Sequence, residues 1–323
     1  MNYKNIVIAG GGILGSQIAF QSAYCGFNVT ILIRQEDSKS DVESKLDKLV
    51  NTYKETIEVM ANEGVGSPNW ARGIASSDNF NKDECLSRVD NARNNIKIET
   101  DQQVALGDAD LVIESVTENF DVKTAFYKQI ASLLPEKTVV VTNSSTLLPS
   151  KLSKSTGRAN KYLSLHFANS IWKNNIAEVM KHAGTEDKYF DELIAFAEAI
   201  NMIPLAAKGE KSGYLLNSML VPFLLSGMDL LANGISDAET IDKAWTYGTG
   251  APKGPFQIID TVGLETAKNI VLQYQKVPDV FDPLLKKMML PYNYDGMLRI
   301  LNEYIDAGKI GKSVGEGFYK YDE

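Results

Sequence analysis

Histidine and cysteine are scarce, with two of each in 323 residues. Cys25 and Cys85 alone make no disulfide framework, and with two histidines at unrelated positions they give no metal-ligand spacing. Positive charge is also short. Lys and Arg number 33 against 41 Asp and Glu, a net charge of −8. Such a chain lacks the basic face that nonspecific nucleic-acid binding requires. Long apolar runs are missing too. The longest uncharged stretch near the middle, residues 212–228, contains Asn217 and Pro222 and stops at Asp229, so it reads as a buried helix rather than a membrane span. The first twenty residues are apolar, but glycines interrupt them, the only basic residue is Lys4 and no cleavage site follows. The expectation is a reduced, cytoplasmic setting with no signal peptide. No G-x-S-x-G elbow points to a serine nucleophile.

What is present is an ordinary globular composition, 44% hydrophobic and 23% charged, in a chain long enough for two domains. Residues 4–9 (KNIVIA) form a β-rich run, GGGILG follows, then a helical pattern over 16–24 and a second strand over 28–33 (NVTILI). Strand, glycine turn, helix and strand in this order make the βαβ unit of a parallel sheet. Further strands are read at 96–99, 110–116, 138–142, 162–167 and 176–180. Helices are read at 38–62 (one or two) and 122–133, and 64–81 has loop composition. The fold expected is an α/β N-terminal Rossmann-like doubly wound sheet plus an all-α C-terminal domain, with the boundary near 209. The domains are therefore 1–209 and 210–323. The closing GEGFYKY is expected to dock its aromatic residues on the helical domain.

Gly10, Gly12 and Gly15 form G-x-G-x-x-G after a strand and before a helix. The first glycine permits the tight turn, the second admits a pyrophosphate, and the third lets helix and strand pack closely. Ile13 and Leu14 complete a turn whose helix N-terminus faces the anion. The candidate cofactor is NAD or NADP. An acid usually ends the second strand to hold the ribose, but this strand ends Leu32-Ile33-Arg34, with Glu36 and Asp37 beyond. Arg34 suits the 2′-phosphate of NADP and Glu36 suits the ribose of NAD; both alternatives stand. His166 ends one strand and Glu178 lies on the next, twelve positions on, so a base and its orienting carboxylate can meet. The segment Asn143-Ser144-Ser145-Thr146 follows a strand and places an amide and hydroxyls at the ligand end of the sheet. A helix cap is the plainer explanation of those hydroxyls. Asn217 is a polar residue in an apolar helix and needs a partner.

With VIAGGGILGSQIA, DADLVIESVTENFDVK, TNSSTLLPS, LHFAN, Glu178, DKAWTYGTGAPKGPFQIIDTVGL and GEGFYKY in order, the chain resembles the 3-hydroxyacyl-CoA dehydrogenase family over nearly its whole length. In motif detail it is most similar to the bacterial diketoreductase branch. The resemblance implies that His166 is the general acid/base, that Glu178 orients it, and that Ser145 and Asn217 bond the reacting oxygen and the histidine environment. It implies that Asn169 helps to hold the site, and that Glu118, Lys123 and Asn143 lie toward the cofactor. The implied activity interconverts an (S)-3-hydroxyacyl-CoA and its 3-oxoacyl-CoA. A β-keto or diketo acid or ester without coenzyme A is the alternative, and a crystallin-like structural protein is a rival of a different class. A homodimer acting in fatty acid metabolism is implied. The family's proline after HFxN is Ser170 here, its acid after the second strand is Ile33, and residues 38–84, which help to hold coenzyme A in the family, are longer.

Overall fold

The computed structural model describes residues 3–275 and 292–321. The chain divides into two compact units, Met1–Leu215 and Leu216–Glu323. The first is built on an eight-stranded sheet: β1 Asn5–Ala9, β2 Asn28–Leu32, β3 Ile96–Glu99, β4 Leu111–Glu114, β5 Val139–Thr142, β6 Tyr162–Phe167, β7 Ile176–Met180 and β8 Ile203–Ala207. Their order across the sheet is β3-β2-β1-β4-β5-β6-β7-β8. All neighbours are parallel except β6 and β7, which pair antiparallel with His166 opposite Glu178. The chain leaves β1 toward β2 and β3, then returns to the other side of β1 as β4. Ligands of doubly wound sheets bind at such a reversal, beyond the strands' carboxyl ends.

The inner strands β1, β4 and β5 are short apolar runs because both faces are covered, while the edge strands β3 and β8 are partly exposed. On one face lie α1 (Ile13–Tyr24), α2 (Lys39–Glu63), α3 (Lys82–Asn95) and α7 (Asp187–Ala199), around a core that includes Phe20, Leu46, Tyr53, Val89 and Phe196. On the other lie α4 (Gln102–Leu106) and α5 (Phe120–Ile130), around Leu106, Val112, Tyr127 and Tyr162. The short α6 (Pro149–Leu152) precedes β6. The 38–62 pattern is one helix, with Val42, Leu46, Leu49, Tyr53, Ile57 and Met60 buried at helical spacing. Helix α3 was not expected. Its sequence is largely polar and buries only Cys85, Val89 and Ala92, while the Asn81 side chain caps it by accepting from the Glu84 N–H.

The second unit is helical among its described residues: α8 (Leu216–Ala232), α9 (Ala238–Thr249), α10 (Pro255–Val262), α11 (Leu264–Tyr274) and a last helix, Tyr294–Asp306. Its core includes Leu224, Met228, Phe256, Ile259, Met297 and Leu301. Two buried carboxylates pin its closing segment. Asp260 accepts from the N–H groups of Phe318 and Tyr319 and from the Tyr321 hydroxyl, and Asp242 accepts from the Tyr319 hydroxyl. Phe318 packs between Phe256 and Tyr304, as GEGFYKY suggested. No described helix is long and apolar enough to cross a membrane. Residues 210–215 group with the first unit, six beyond the expected boundary, because the Gly213 N–H bonds to the Ser145 carbonyl and Tyr214 is buried.

Candidate active site

The glycine turn sits at the reversal of the sheet. Gly10 has φ +119°, and a Cβ there would lie 2.5 Å from the Ser115 carbonyl oxygen at the end of β4. A Cβ on Gly15 would lie 2.1 Å from the Gly10 carbonyl, so only glycine lets α1 approach the turn. Gly12 is different: a Cβ there meets nothing within 4 Å, and the residue is exposed at the N-cap of α1. The first bond of α1 runs from the Ser16 N–H to the Gly12 carbonyl, so the preceding N–H groups have no intrahelical acceptor. Open space before unpaired donors at a helix N-terminus fits a dinucleotide pyrophosphate. Ile13 is exposed there, and Leu14 packs partly against the core.

At the end of β2, Ile33 is buried in the core. Arg34 is exposed and makes no ion pair with any described residue, whereas Glu36 pairs with Lys39. Beside β1, Glu114 on β4 is fully buried. It accepts from Lys123 at 2.5 Å, from the Tyr127 hydroxyl at 2.6 Å and from Thr142 at 2.8 Å. Lys123 is 1% exposed and also bonds the Val116 carbonyl. It therefore holds the 116–118 loop from beneath rather than presenting its ammonium to a ligand. Glu118 takes hydrogen bonds from Ser144 and from both the N–H and hydroxyl of Thr146. Burial would raise its pKa, but these donors and the Lys123 charge outweigh it and keep the carboxyl below its usual range. The hydroxyls of Ser144 and Thr146 thus serve to tie this loop to the loop after β4.

Ser145, the remaining hydroxyl, joins the histidine. Its Oγ lies 3.0 Å from His166 Nε2, and His166 Nδ1 lies 3.0 Å from Glu178 Oε2. The other Glu178 oxygen accepts from the Leu215 N–H at 2.9 Å. His166 is 6% and Glu178 1% exposed. Asn143 fixes the strand end: its Oδ1 accepts from the Phe167 N–H at 3.1 Å, and its Nδ2 donates to Ser115 Oγ at 3.3 Å. Contacts thus run from the glycine turn through Ser115 and Asn143 to Phe167, the residue that follows His166. Asn169 is exposed in the loop beyond β6, and of its groups the carbonyl takes a bond, from Asn174. Asn217 lies in the first turn of α8, in the second unit. His182, the other histidine, caps a turn through the Gly184 N–H and the Ala159 carbonyl. No cluster of metal-ligating side chains occurs among the described residues.

Sequence reasoning missed two features. Tyr214 lies flat on His166, with ring centroids 4.7 Å apart and planes 12° apart, and its hydroxyl donates to the Ser144 carbonyl at 2.8 Å. Burial raises its phenol pKa, so it remains a donor. Gly213 and Tyr214 both have positive φ, and the only written sign of this turn is the glycine. The buried Glu114–Lys123 pair was the other, signalled by an acid ending an apolar strand.

Comparison with known proteins agrees with this architecture. The family model for the 3-hydroxyacyl-CoA dehydrogenase NAD-binding domain matches residues 5–210, and that for the C-terminal domain matches 213–321. The human mitochondrial hydroxyacyl-coenzyme A dehydrogenase is 30% identical, over 98% of this chain and 91% of its own. A 3-hydroxybutyryl-CoA dehydrogenase of Clostridioides difficile is 26% identical, over 98% of this chain and 99% of its own. A solved diketoreductase, described as acting on dicarbonyl compounds, is 42% identical with a TM-score of 0.81, over 99% of this chain and 100% of its own. The chain belongs to the 3-hydroxyacyl-CoA dehydrogenase family, NAD-dependent oxidoreductases acting on CH–OH groups.

Proposed function

We propose that the chain interconverts a 3-hydroxyl and a 3-ketone, with His166 carrying the proton. The observation that carries this reading is the Ser145–His166–Glu178 hydrogen-bond chain at the ligand end of the sheet, one strand-loop away from the glycine turn. Nicotinamide, when bound, supplies the hydride acceptor or donor. In oxidation, neutral His166 takes the hydroxyl proton at Nε2 while Glu178, at Nδ1, stabilises the imidazolium that forms. In reduction, the imidazolium returns that proton to the developing alkoxide. Ser145, bonded to the same Nε2, donates to the substrate oxygen once His166 turns to it. Glu178 stays oriented because the Leu215 N–H holds its second oxygen. Asn169 and Asn217 enter as substrate-holding residues on the family resemblance alone. Gly10, Gly12, Gly15, Ile13 and Leu14 would receive NAD, and the unpaired Arg34 would tolerate the extra phosphate of NADP. A homodimer and a cytoplasmic setting are proposed on the same resemblance.

For the acyl group we favour a β-keto or diketo ester or acid without coenzyme A. The 42% identity to a diketoreductase over the full length supports it. So does the state of the lysines that would meet coenzyme phosphates. Lys45 bonds the Gly11 carbonyl and Asp41, and Lys54 pairs with Asp90, leaving Lys48 exposed without a described partner. The acyl-CoA thioester is the second reading, supported by the family and by relatives named for that substrate. A structural role on this fold is disfavoured by the intact hydrogen-bond chain. The test is kcat/KM for acetoacetyl-CoA against a short β-keto ester, each with NADH and NADPH. A preference for the ester is expected; a tenfold preference for the thioester reverses the assignment, and no oxidation of NADH with either ends the enzymatic reading.

A further inference from the structure

The joint that closes the first unit is fastened to the proton-handling pair at three consecutive residues. The Gly213 N–H donates to the Ser145 carbonyl at 3.1 Å, Tyr214 stacks on His166, and the Leu215 N–H donates to Glu178 at 2.9 Å. Tyr214 takes φ +50°, a left-handed conformation that non-glycine residues adopt at a cost. Its ring is 1% exposed, and its hydroxyl is anchored on the Ser144 carbonyl. A strained backbone is kept where the surroundings over-determine it, and here the surroundings are the reacting groups themselves.

We propose that Tyr214 is a positioning residue for His166, covering one face of the imidazole and stabilising its protonated form through the ring's π face. The proposal rests on the reading of His166 as proton carrier. The described groups that face His166 include Glu178 from β7, Ser145 from the loop after β5, and Tyr214. Glu118, bonded to Ser144, and Glu114 are the further charges that act on Tyr214. A cation over an aromatic face is favoured, more so away from water. An apolar replacement without a ring withdraws that attraction, so the imidazolium loses its proton at a lower pH. In ketone reduction the imidazolium is the donor, and the rate falls as pH rises through its titration. The variant should therefore lose activity at lower pH than the wild type.

The experiment compares the full chain with Tyr214→Leu, Tyr214→Met and Tyr214→Phe in reduction of a β-keto ester by NADH. Tyr214→Leu should lower kcat roughly tenfold to a hundredfold and move the alkaline half-point down by roughly half to one pH unit. NADH affinity, by fluorescence titration, should stay within about twofold. Tyr214→Phe keeps the flat ring and should recover most of the turnover and the wild-type profile. The methionine variant serves if leucine does not fold. A second readout needs no activity: NMR titration of the imidazoles, of which the chain has two, assigned with His166→Gln. The same downward displacement is expected. An unmoved titration in the leucine or methionine variant overturns the proposal, as does a kcat loss shared equally by phenylalanine or accompanied by lost NADH binding. If His166→Gln turns over like the wild type, the reading of His166 fails instead, and the NMR titration still decides the role of Tyr214.

Discussion

His166 uses both ring nitrogens, one toward Ser145 and one toward Glu178, so under the proposed mechanism its replacement removes the proton path without touching the glycine turn. His166→Gln should lower kcat by roughly two to four orders of magnitude, the usual size of general acid–base assistance, with NADH affinity nearly unchanged. Glu178→Gln should be slow with an altered pH profile, because the imidazolium loses its countercharge. Stopped-flow NADH oxidation measures both, and near-normal turnover of His166→Gln is incompatible with the mechanism. At this scale the pair was legible in the sequence. The segments 162–167 and 176–180 read as strands, and as antiparallel neighbours they put His166 opposite Glu178. Tyr214 was not legible, because its ring reaches His166 through a turn of positive φ joining residues far apart in sequence. Lys123 was read as approaching a ligand, and only the buried partner Glu114 shows why it points inward.

Among elements, the glycine turn separates folding from binding. Gly15→Ala drives a methyl into the Gly10 carbonyl and should destabilise by at least about 2 kcal/mol in urea. Gly12→Ala meets open space and should stay within about 1 kcal/mol of the wild type, yet weaken NADH binding where the methyl meets the pyrophosphate. Equal stability losses in the two would contradict this division. The start of β1 gives a pH-dependent case. Asp110 accepts from the N–H groups of Lys4 and Asn5 at 2.8 and 2.9 Å and pairs with Lys137. Burial raises this carboxyl, but Lys137 and the two N–H groups outweigh it and hold it below the usual range. A depressed carboxylate stabilises above its unfolded pKa, and that stability is lost as pH falls through the folded value. Asp110→Ala should therefore cost about 2 kcal/mol at pH 7. The gap from the wild type should close below about pH 4. A gap constant down to pH 2 would deny the linkage. The inner strands were the legible elements, since short apolar runs such as those of β1, β4 and β5 leave few alternatives. Helix α3 escaped because its polar composition hides a stripe of three buried positions.

For the whole molecule, binding energy should register as stability. At a hundred times its dissociation constant, NADH adds about 2.7 kcal/mol to the unit that holds it. For a unit of Met1–Leu215, calorimetry should show the transition rise by roughly 5–10 °C. NADPH should also raise it, by an equal or smaller amount, given the exposed Arg34. Absence of any NADPH shift would remove the proposed NADP tolerance. A helical second part was legible from the change to helical periodicity; the long-range hydrogen bonds that tie residues 213–215 to the first unit were not, because periodicity does not encode them. The antiparallel register of β6 and β7 carries one more consequence. A slip of one residue would turn every side chain of one strand to the opposite face. Hydrophobic selection on Leu165, Phe167, Ala177 and Val179 therefore preserves the His166–Glu178 alignment unaided. The intervening loop, 168–175, is released from that duty. Sequence changes in that loop leave the alignment of His166 with Glu178 intact, and the pair is inherited with the sheet.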